Sequence, residues 1–389
     1  MVGYSLKNTD LERGVRIMKK WMKNIKKYTA FVLAACSIFS LGSCFGGAGN
    51  DDSASESSVE QTDSLKLKER ARVENAQEKE LLQDLNFSRG FYVSPFISNG
   101  SQVEDWNILT HGGKAADGNP VWTMAQWGCT HDMRRADSYT FTRDGSVLMY
   151  DDGGKYMQID TDKAGTITLG IKGSEEYTRD ENGNIRERTD ATENWPHILI
   201  DQAIGSSIDS KVESLFMEIT YEVTECVSLV DRSIYPLNEL LNAAQFQWFI
   251  TLYDNNEESE TYNHGMFFGF SMFDTRSMNE TPKGYSAYDG GKEDSTGAYI
   301  YMFSLSQAKS FSQNVLDSLP SSVVGKEVRI KVDILPFLKQ ALKEAKQAGA
   351  LLGASVDKLR IGGTNIGWEL PGNYDVCVKI SNLNIYETY

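Results

Sequence analysis

From Phe87 onward, short apolar stretches alternate with turns rich in Gly, Asn and Asp. The stretches contain many Tyr, Phe, Val, Ile and Thr residues, which are the side chains that strands favour. This pattern predicts an all-β fold, a large β-sandwich of the jelly-roll type over residues 87–389 with a few peripheral helices. The predicted strands are Val121–Trp127, Ser138–Thr142, Ser146–Tyr150, Thr166–Lys172, His197–Gln202, Leu215–Glu225, Gln245–Tyr253, Met266–Phe273, Ala298–Leu305, Glu327–Ile334 and Tyr374–Tyr386.

The segment Leu215–Thr224 shows the alternation most clearly. Successive side chains of a strand point to opposite faces, so its odd-numbered positions, all apolar, are predicted to enter the core. The opposite face carries Glu218, Thr220 and Glu222. This second face is polar and is a candidate floor for a cleft.

Two helices and two tight turns interrupt the strands. Ile334–Ala350 is predicted to be helical because its apolar residues recur on one face and Pro336 suits a first turn. Pro236–Ala244 is predicted to be a short connecting helix. The pairs Asp144-Gly145 and Asn182-Gly183 are predicted to form hairpin turns, since both favour positive φ.

The first 44 residues follow a different pattern. Five lysines between Lys19 and Lys27 precede an apolar run, Tyr28–Ser40. This run is shorter than the roughly 20 apolar residues that a membrane span needs, and it is typical of an export signal. The acidic residues upstream of Met18 do not fit such a signal, so translation is predicted to begin at Met18.

Leu41-Gly42-Ser43-Cys44 follows the apolar run and resembles the lipobox of bacterial lipoproteins. The resemblance implies that residues 1–43 are a signal peptide and that Cys44 is acylated and anchors the chain in the membrane. Phe45, rather than Asp, implies sorting to the outer membrane of a Gram-negative envelope. Alternatives are Cys36, whose preceding apolar run is shorter, and ordinary cleavage with Cys44 as a plain cysteine.

Two polar segments separate Cys44 from the sandwich. Residues 44–59 consist mainly of Gly, Asn, Asp, Ser and Glu and are predicted to form a flexible tether. Residues 60–86 are rich in Lys, Glu, Arg, Gln and Ala, which predicts a polar helical stalk. A disordered spacer is the alternative, because a helix with so few apolar residues gains little from packing.

Charge limits the possible partners. The formal net charge is −15, but residues 1–44 hold eight Lys/Arg against two Asp/Glu, so the remainder carries a net charge of −21. An acidic surface repels phosphate, which excludes nucleic acid as an expected partner and favours a neutral ligand.

The cysteines and histidines offer little redox or metal chemistry. Cys129, Cys226 and Cys377 remain besides the anchor, which allows one disulfide without indicating the pair. Cys129 and His131 lie two apart, but no second pair has zinc-like spacing. The run from Asp180 to Asn184 resembles a calcium loop but lacks its distal Glu in register. No cofactor is predicted, and although calcium is common in such sandwiches, no ligand set argues for it.

The run Glu218-Ile-Thr220-Tyr-Glu222 resembles the E-x-D-x-E strand of laminarinase-like retaining glycosidases. The resemblance implies Glu218 as nucleophile and Glu222 as acid/base in a two-carboxylate mechanism. Thr220 replaces the family's Asp and cannot supply its charge. Two solvated glutamates on a strand face are the alternative. His197 and Asp201 share a strand face in the same way and form a second candidate acid/base pair.

The tryptophans are the main candidates for ligand binding. Sugar rings have apolar faces that stack on flat aromatic side chains, and amides and carboxylates bind the hydroxyls. One to three tryptophans are expected to be exposed in a groove, and the predicted binding residues are Trp106, Trp122, Gln126 and Trp368. The C-terminal run, 361–385, resembles the last strands of carbohydrate-binding, concanavalin-like jelly rolls.

Together these features favour a lipid-anchored envelope protein that binds a neutral glycan for polysaccharide capture or use. The first alternative is a glycoside hydrolase or polysaccharide lyase of jelly-roll type that uses Glu218 and Glu222. The second is an assembly or adhesion subunit without enzymatic activity, which would present an exposed apolar patch.

Overall fold

The computed structural model describes residues 77–94, 107–109, 119–135, 138–141, 147–160, 163, 165–190, 193–239, 241–278, 281–289, 297–308 and 323–389. The predicted signal sequence, Cys44, the predicted tether, the first part of the predicted stalk, Trp106 and the predicted Asp144-Gly145 turn lie outside these residues. The described residues form two packed β-sheets with few helices, as predicted.

Sheet A has eight strands, all paired antiparallel. They are β1 (Glu78–Glu80), β5 (Ser138–Phe141), β6 (Val147–Asp151), β7 (Lys155–Asp160), β8 (Thr166–Lys172), β10 (Ser214–Ser228), β15 (Glu327–Asp333) and β17 (Tyr374–Thr388). Their spatial order is β15-β10-β17-β8-β7-β6-β5, and β1 pairs with β17.

Sheet B has nine strands in the order β13-β14-β12-β11-β16-β9-β4-β2-β3. They are β2 (Phe91–Val93), β3 (Asn107–Leu109), β4 (Trp122–Ala125), β9 (His197–Ser207), β11 (Gln245–Asp254), β12 (Gly265–Asp274), β13 (Tyr285–Tyr288), β14 (Tyr299–Met302) and β16 (Leu359–Glu369). The pairs β2/β4 and β12/β14 are parallel, and the other pairs of this sheet are antiparallel.

The hydrophobic core lies between the two sheets. In β10 the odd-numbered side chains from Leu215 to Val223 are at most 1% exposed, which confirms the predicted core face. In sheet B the strands β9, β11 and β16 likewise direct alternate apolar residues, among them Ile200, Trp248 and Ile366, into this core. The other face of sheet B therefore points away from sheet A.

Three α-helices lie in the described residues: α1 (Gly173–Glu176), α2 (Leu305–Ala308) and α3 (Leu335–Gln347). The third confirms the predicted helix. It buries one apolar face, and Phe337 stacks on Phe303 with ring centroids 4.4 Å apart. Gly349 follows the end of this helix and has a φ of 88°, a backbone conformation that glycine adopts more readily than other residues. Among the described helices, none is long and apolar enough to span a membrane.

Two predicted helical segments are corrected by the structure. The described end of the predicted stalk forms β1, and Leu81 and Leu82 follow it into the core, so the sandwich begins before Phe87. This segment is stabilised by pairing with β17 and by the burial of two leucines, whereas a polar helix without a packing partner would gain little stability. The described part of Pro236–Ala244 is turn and irregular backbone rather than helix. The Asn182-Gly183 turn is present: Gly183 has φ of 81°, and Arg179 and Ile185 form a bridge across it.

Candidate ligand-binding site

Trp122 and Trp368, two of the predicted binding residues, lie in the hydrophobic core. Both are 0% exposed. The indole N–H of Trp122 donates to the Asp84 carbonyl oxygen at 2.9 Å, and that of Trp368 donates to the Leu169 carbonyl oxygen at 3.2 Å. Their strands turn these positions toward sheet A, so neither ring presents a face to a ligand.

Gln126 is also buried, at 0% exposure, and its amide is used within the fold. Its Nε2 donates to Asp132 Oδ1 at 2.8 Å, and its Oε1 accepts from the Met133 backbone N–H at 2.9 Å. The prediction of an exposed tryptophan groove is wrong for every tryptophan that the structure describes. These are Trp122, Trp127, Trp195, Trp248 and Trp368, and none is more than 5% exposed.

Glu218 and Glu222 lie on the outer face of sheet A. Glu218 accepts from Arg329 Nη2 at 2.7 Å and lies 3.9 Å from Lys331 Nζ. The Glu218 carboxylate is therefore engaged by two cations of the neighbouring strand β15. Glu222 lies four residues further along the same face, opposite Glu327 of β15.

His197 is part of a buried aromatic cluster at one end of sheet B. Its ring lies against Trp127 and Trp195, with both centroid separations 5.7 Å. Its Nδ1 lies 3.2 Å from the Trp127 carbonyl oxygen, and its Nε2 lies 4.0 Å from Glu369 Oε2. Asp201 shares its strand face but is about 13 Å along β9, so the two do not meet as an acid/base pair.

Cys129 and His131 do not form a reactive pair. The Cys129 thiol donates to the carbonyl oxygens of Trp127 and His197, and burial raises its pKa to about 12, so it stays protonated. A buried ion network lies beside it: Lys155 Nζ is 2.9 Å from Glu176 Oε1 and 2.8 Å from Asp152 Oδ2. This network joins the β6–β7 turn to α1. Cys129, Cys226 and Cys377 are all free thiols.

The outer face of sheet B, the face directed away from sheet A, carries a row of side chains in direct register. Tyr92 pairs with Thr123, Thr123 with Asp201, Asp201 with Asn365, and Asn365 with Phe249. Neighbouring strands are about 4.8 Å apart, so these five residues form a continuous line across β2, β4, β9, β16 and β11. We call this line the central row.

Asp201 and Asn365 at the middle of the central row have unusual environments. Asp201 is half-buried, and burial raises the pKa of its carboxyl group to about 7. Asn365 is only 6% exposed, yet its side-chain Nδ2 has no hydrogen-bond partner within the described part of the chain. A buried amide without a partner costs about 1–3 kcal/mol.

Asn365 lies between two glycines, whereas Asp201 lies between a small and a large residue. Gly363 and Gly367 flank Asn365 on the same face of β16, and Ala203 and the buried Leu199 flank Asp201 on β9. A Cβ at Gly363 would lie 2.8 Å from the Gln202 carbonyl oxygen, so the close approach of β16 to β9 requires glycine there.

Sequence reasoning missed Asn365, Thr123 and Tyr92 as site residues. Asp201 was considered only as a partner of His197. The signal that could have found Asn365 is the Gly-x-Asn-x-Gly pattern at 363–367, since an Asn between two same-face glycines has no neighbouring side chains on its strand. Among the described residues, no group of three or more His, Cys, Asp or Glu side chains could hold a metal ion.

No family model matches the chain, and no curated protein matches it. Solved structures with similar topology include glycoside hydrolases of families 12 and 11. The native family 12 xyloglucanase from Bacillus licheniformis is 9% identical, with a TM-score of 0.35, and covers 65% of this chain and 98% of its own.

Two further solved structures show a similar degree of likeness. The xyloglucanase domain of NopAA from Sinorhizobium fredii, solved with cellobiose, is 12% identical with a TM-score of 0.30 and covers 64% of this chain and 97% of its own. The family 11 xylanase from Neocallimastix patriciarum is 6% identical with a TM-score of 0.31 and covers 62% and 90%. At these identities and TM-scores the likenesses carry no argument about the activity of this chain.

Proposed function

We propose that this protein binds a neutral glycan on the outer face of sheet B, at the central row, without cleaving it. The observation that carries the proposal is the Asn365 amide, a buried donor without a partner, directly beside the half-buried carboxyl group of Asp201. Sugar hydroxyls donate and accept hydrogen bonds, so they can satisfy both groups at once.

Charge supports a neutral ligand. The chain has a formal net charge of −15, and Asp201 adds a carboxyl group at the middle of the row. An anionic ligand would be repelled by both. Tyr92, half-buried at the end of the row, is the aromatic side chain best placed to stack on a sugar ring.

The exposure of the carboxylates favours binding over hydrolysis. Within the described residues of β9 and β16, the acidic side chains on this face are Asp201 and Glu369. Glu369 is 3% exposed and its Oε2 lies 4.0 Å from His197 Nε2, whereas Asp201 is half-buried. On the described face of these two strands, Asp201 is therefore the acidic group that a ligand can reach, whereas both glycosidase mechanisms use two carboxyl groups.

We further propose that Cys44 carries the lipid that anchors this domain in the outer membrane. The lipobox resemblance and the polar tether after Cys44 support this. A Cys44→Ser variant expressed in a Gram-negative host is expected to leave the membrane fraction, because stable anchoring depends on the attached acyl chains. Membrane retention of this variant would contradict the anchoring proposal.

The binding proposal is tested with the full-length protein in mild detergent on an array of neutral glycans, with a reducing-end assay on each glycan that binds. Binding without release of reducing ends is expected. Asn365→Ala should lose binding, and Glu222→Gln, on the outer face of sheet A, is the matched control that should retain it. Release of reducing ends that Asp201→Asn abolishes would instead establish the hydrolase alternative. If Asn365→Ala binds like the wild type, the central row is not the site.

A further inference from the structure

Residues 77–87, which we call the strap, begin in sheet A and continue between the two sheets. In sheet A, β1 pairs with β17, and the Leu81 backbone N–H donates to the Ile385 carbonyl oxygen at 2.9 Å. Leu81 and Leu82 then enter the hydrophobic core. The strap is therefore attached to sheet A at its first half.

The second half of the strap contacts three buried, inward-facing side chains of sheet B, those of Phe91, Trp122 and Gln202. Gln202 Oε1 accepts from the Gln83 backbone N–H at 2.7 Å, and Gln202 Nε2 donates to the Gln83 carbonyl oxygen at 2.9 Å. The indole N–H of Trp122 donates to the Asp84 carbonyl oxygen at 2.9 Å. The Phe87 ring centroid lies 5.8 Å from that of Phe91 and 5.4 Å from that of Trp122. The strap thus joins the two sheets.

These three side chains form a line directly behind the central row. Phe91 pairs with Trp122, and Trp122 pairs with Gln202, across β2, β4 and β9. Each of the three is followed or preceded in the chain by a residue of the central row, namely Tyr92, Thr123 or Asp201. Successive side chains of a strand leave opposite faces, so the strap packs against the inner face of the same strand positions whose outer face carries the central row.

The strap has the features of a segment that opens before the rest of the domain. The three residues of β1 are all exposed, and among the described strands β1 pairs with β17 alone. Asp84 and Phe87 have φ angles of 48° and 55°, a backbone conformation that costs free energy in residues other than glycine. Segments with exposed backbone and few buried contacts open locally at a lower free energy than the core strands.

We propose that the strap holds β2, β4 and β9 in the arrangement that binds the ligand, so that detachment of the strap lowers the affinity of the central row. This inference rests on the proposed function and adds a means of regulating the same site. Coupling between two sites is reciprocal. A ligand that binds the strap-attached state more tightly must therefore slow the opening of the strap by the same factor.

The experiment is hydrogen–deuterium exchange of the full-length protein in mild detergent, with and without cellohexaose, or with the best-binding neutral glycan of the array where cellohexaose does not bind. Leu82→Ala perturbs the strap at a position away from the central row. Leu342→Ala in α3 is the matched control, since the two leucines are 4% and 6% exposed. Glycan affinity of each variant is measured by isothermal titration calorimetry.

Without glycan, Leu82→Ala should exchange the Leu81 amide at least about tenfold faster, because the truncation removes core contacts of the strap but leaves the acceptor of that amide in place. Exchange in β2 and β4 should also be faster than in Leu342→Ala. Bound glycan should slow exchange of the wild-type strap by about fivefold or more, and Leu82→Ala should weaken glycan binding by about fivefold or more. Leu342→Ala should bind glycan like the wild type.

The outcomes separate the two proposals. A strap whose exchange does not respond to bound glycan, or a Leu82→Ala variant with wild-type affinity, would overturn the strap inference and leave glycan binding intact. Absence of binding to every neutral glycan would overturn the proposed function. In that case, equal exchange of β2 and β4 in Leu82→Ala and Leu342→Ala would overturn the strap inference as well, whereas faster exchange in Leu82→Ala would support its structural part. Circular dichroism of each variant shows whether a loss of binding is a loss of fold.

Discussion

Replacing Asp201 by Asn removes a carboxyl group that the fold holds in an unfavourable environment. Its pKa is about 7 in the folded protein, against an ordinary value of 3.8, because burial disfavours the charged form. The folded state therefore binds more protons than the unfolded state between these two pH values. Stability contributed by this group is full below pH 4 and falls as pH rises toward 7.

The size of the effect follows from the shift. About three pKa units at 1.36 kcal/mol each give an upper limit of about 4 kcal/mol lost at pH 8. Since Asp201 is half-buried rather than fully buried, about 2 kcal/mol is a better expectation. An Asn side chain has nearly the same shape and does not ionise, so Asp201→Asn should be more stable than the wild type by this amount at pH 8 and equal to it at pH 4.

The assay is urea unfolding of wild type and variant at pH 4, 6 and 8, followed by tryptophan fluorescence. The difference in the free energy of unfolding should grow with pH. Glu222→Gln, a matched carboxyl-to-amide change on sheet A, should show no such growth. An Asp201→Asn variant that is less stable than the wild type at pH 8 would mean that the carboxylate is stabilised by a contact, and would refute this reasoning.

Three further predictions concern residues that hold the fold. Trp122→Ala should lower the free energy of unfolding by about 3–5 kcal/mol in urea titrations, because Trp122 is a fully buried core residue; a loss confined to glycan affinity would contradict this assignment. Lys155→Met should lower the free energy of unfolding by about 3–5 kcal/mol, since it leaves the carboxylates of Glu176 and Asp152 buried without their cation. Adding Glu176→Gln to this variant should recover part of the lost stability. Glu218→Gln should change stability by no more than about 1 kcal/mol and leave glycan binding unchanged, because its partner Arg329 is 67% exposed; loss of activity on a glycan would revive the sheet A hydrolase hypothesis.

Strands with a clear alternation of apolar and polar residues were predictable. The bounds of β8 agree with the prediction, and β11 and β12 agree within one residue at each end. The short helix at Pro236–Ala244 was wrong because its few residues cannot form a stable helix without a packing partner. β16 was missed as a strand because its glycines hide the alternation, although those glycines allow it to pack closely against β9.

The tryptophans show why the site was harder to predict than the fold. An indole offers the same large apolar surface to a core and to a sugar, so its presence does not distinguish the two. Only the pairing of the strands decides which face meets the other sheet. Trp122 and Trp368 lie on the inward face of sheet B, whereas Thr123 and Asn365, on the same strands, lie on the outward face.

The amino-acid sequence by itself determined the strands with a regular alternation and the Asn182-Gly183 turn, because the two-residue period of strands and the turn preferences of Gly and Asn act between neighbours in the chain. It also determined that each strand has one apolar face. Only the tertiary structure decided which strands pair, and therefore that Asp201 and Asn365, far apart in the chain, meet across β9 and β16. That pairing depends on burying many apolar faces at once between two sheets, a cooperative requirement that no single stretch of sequence contains.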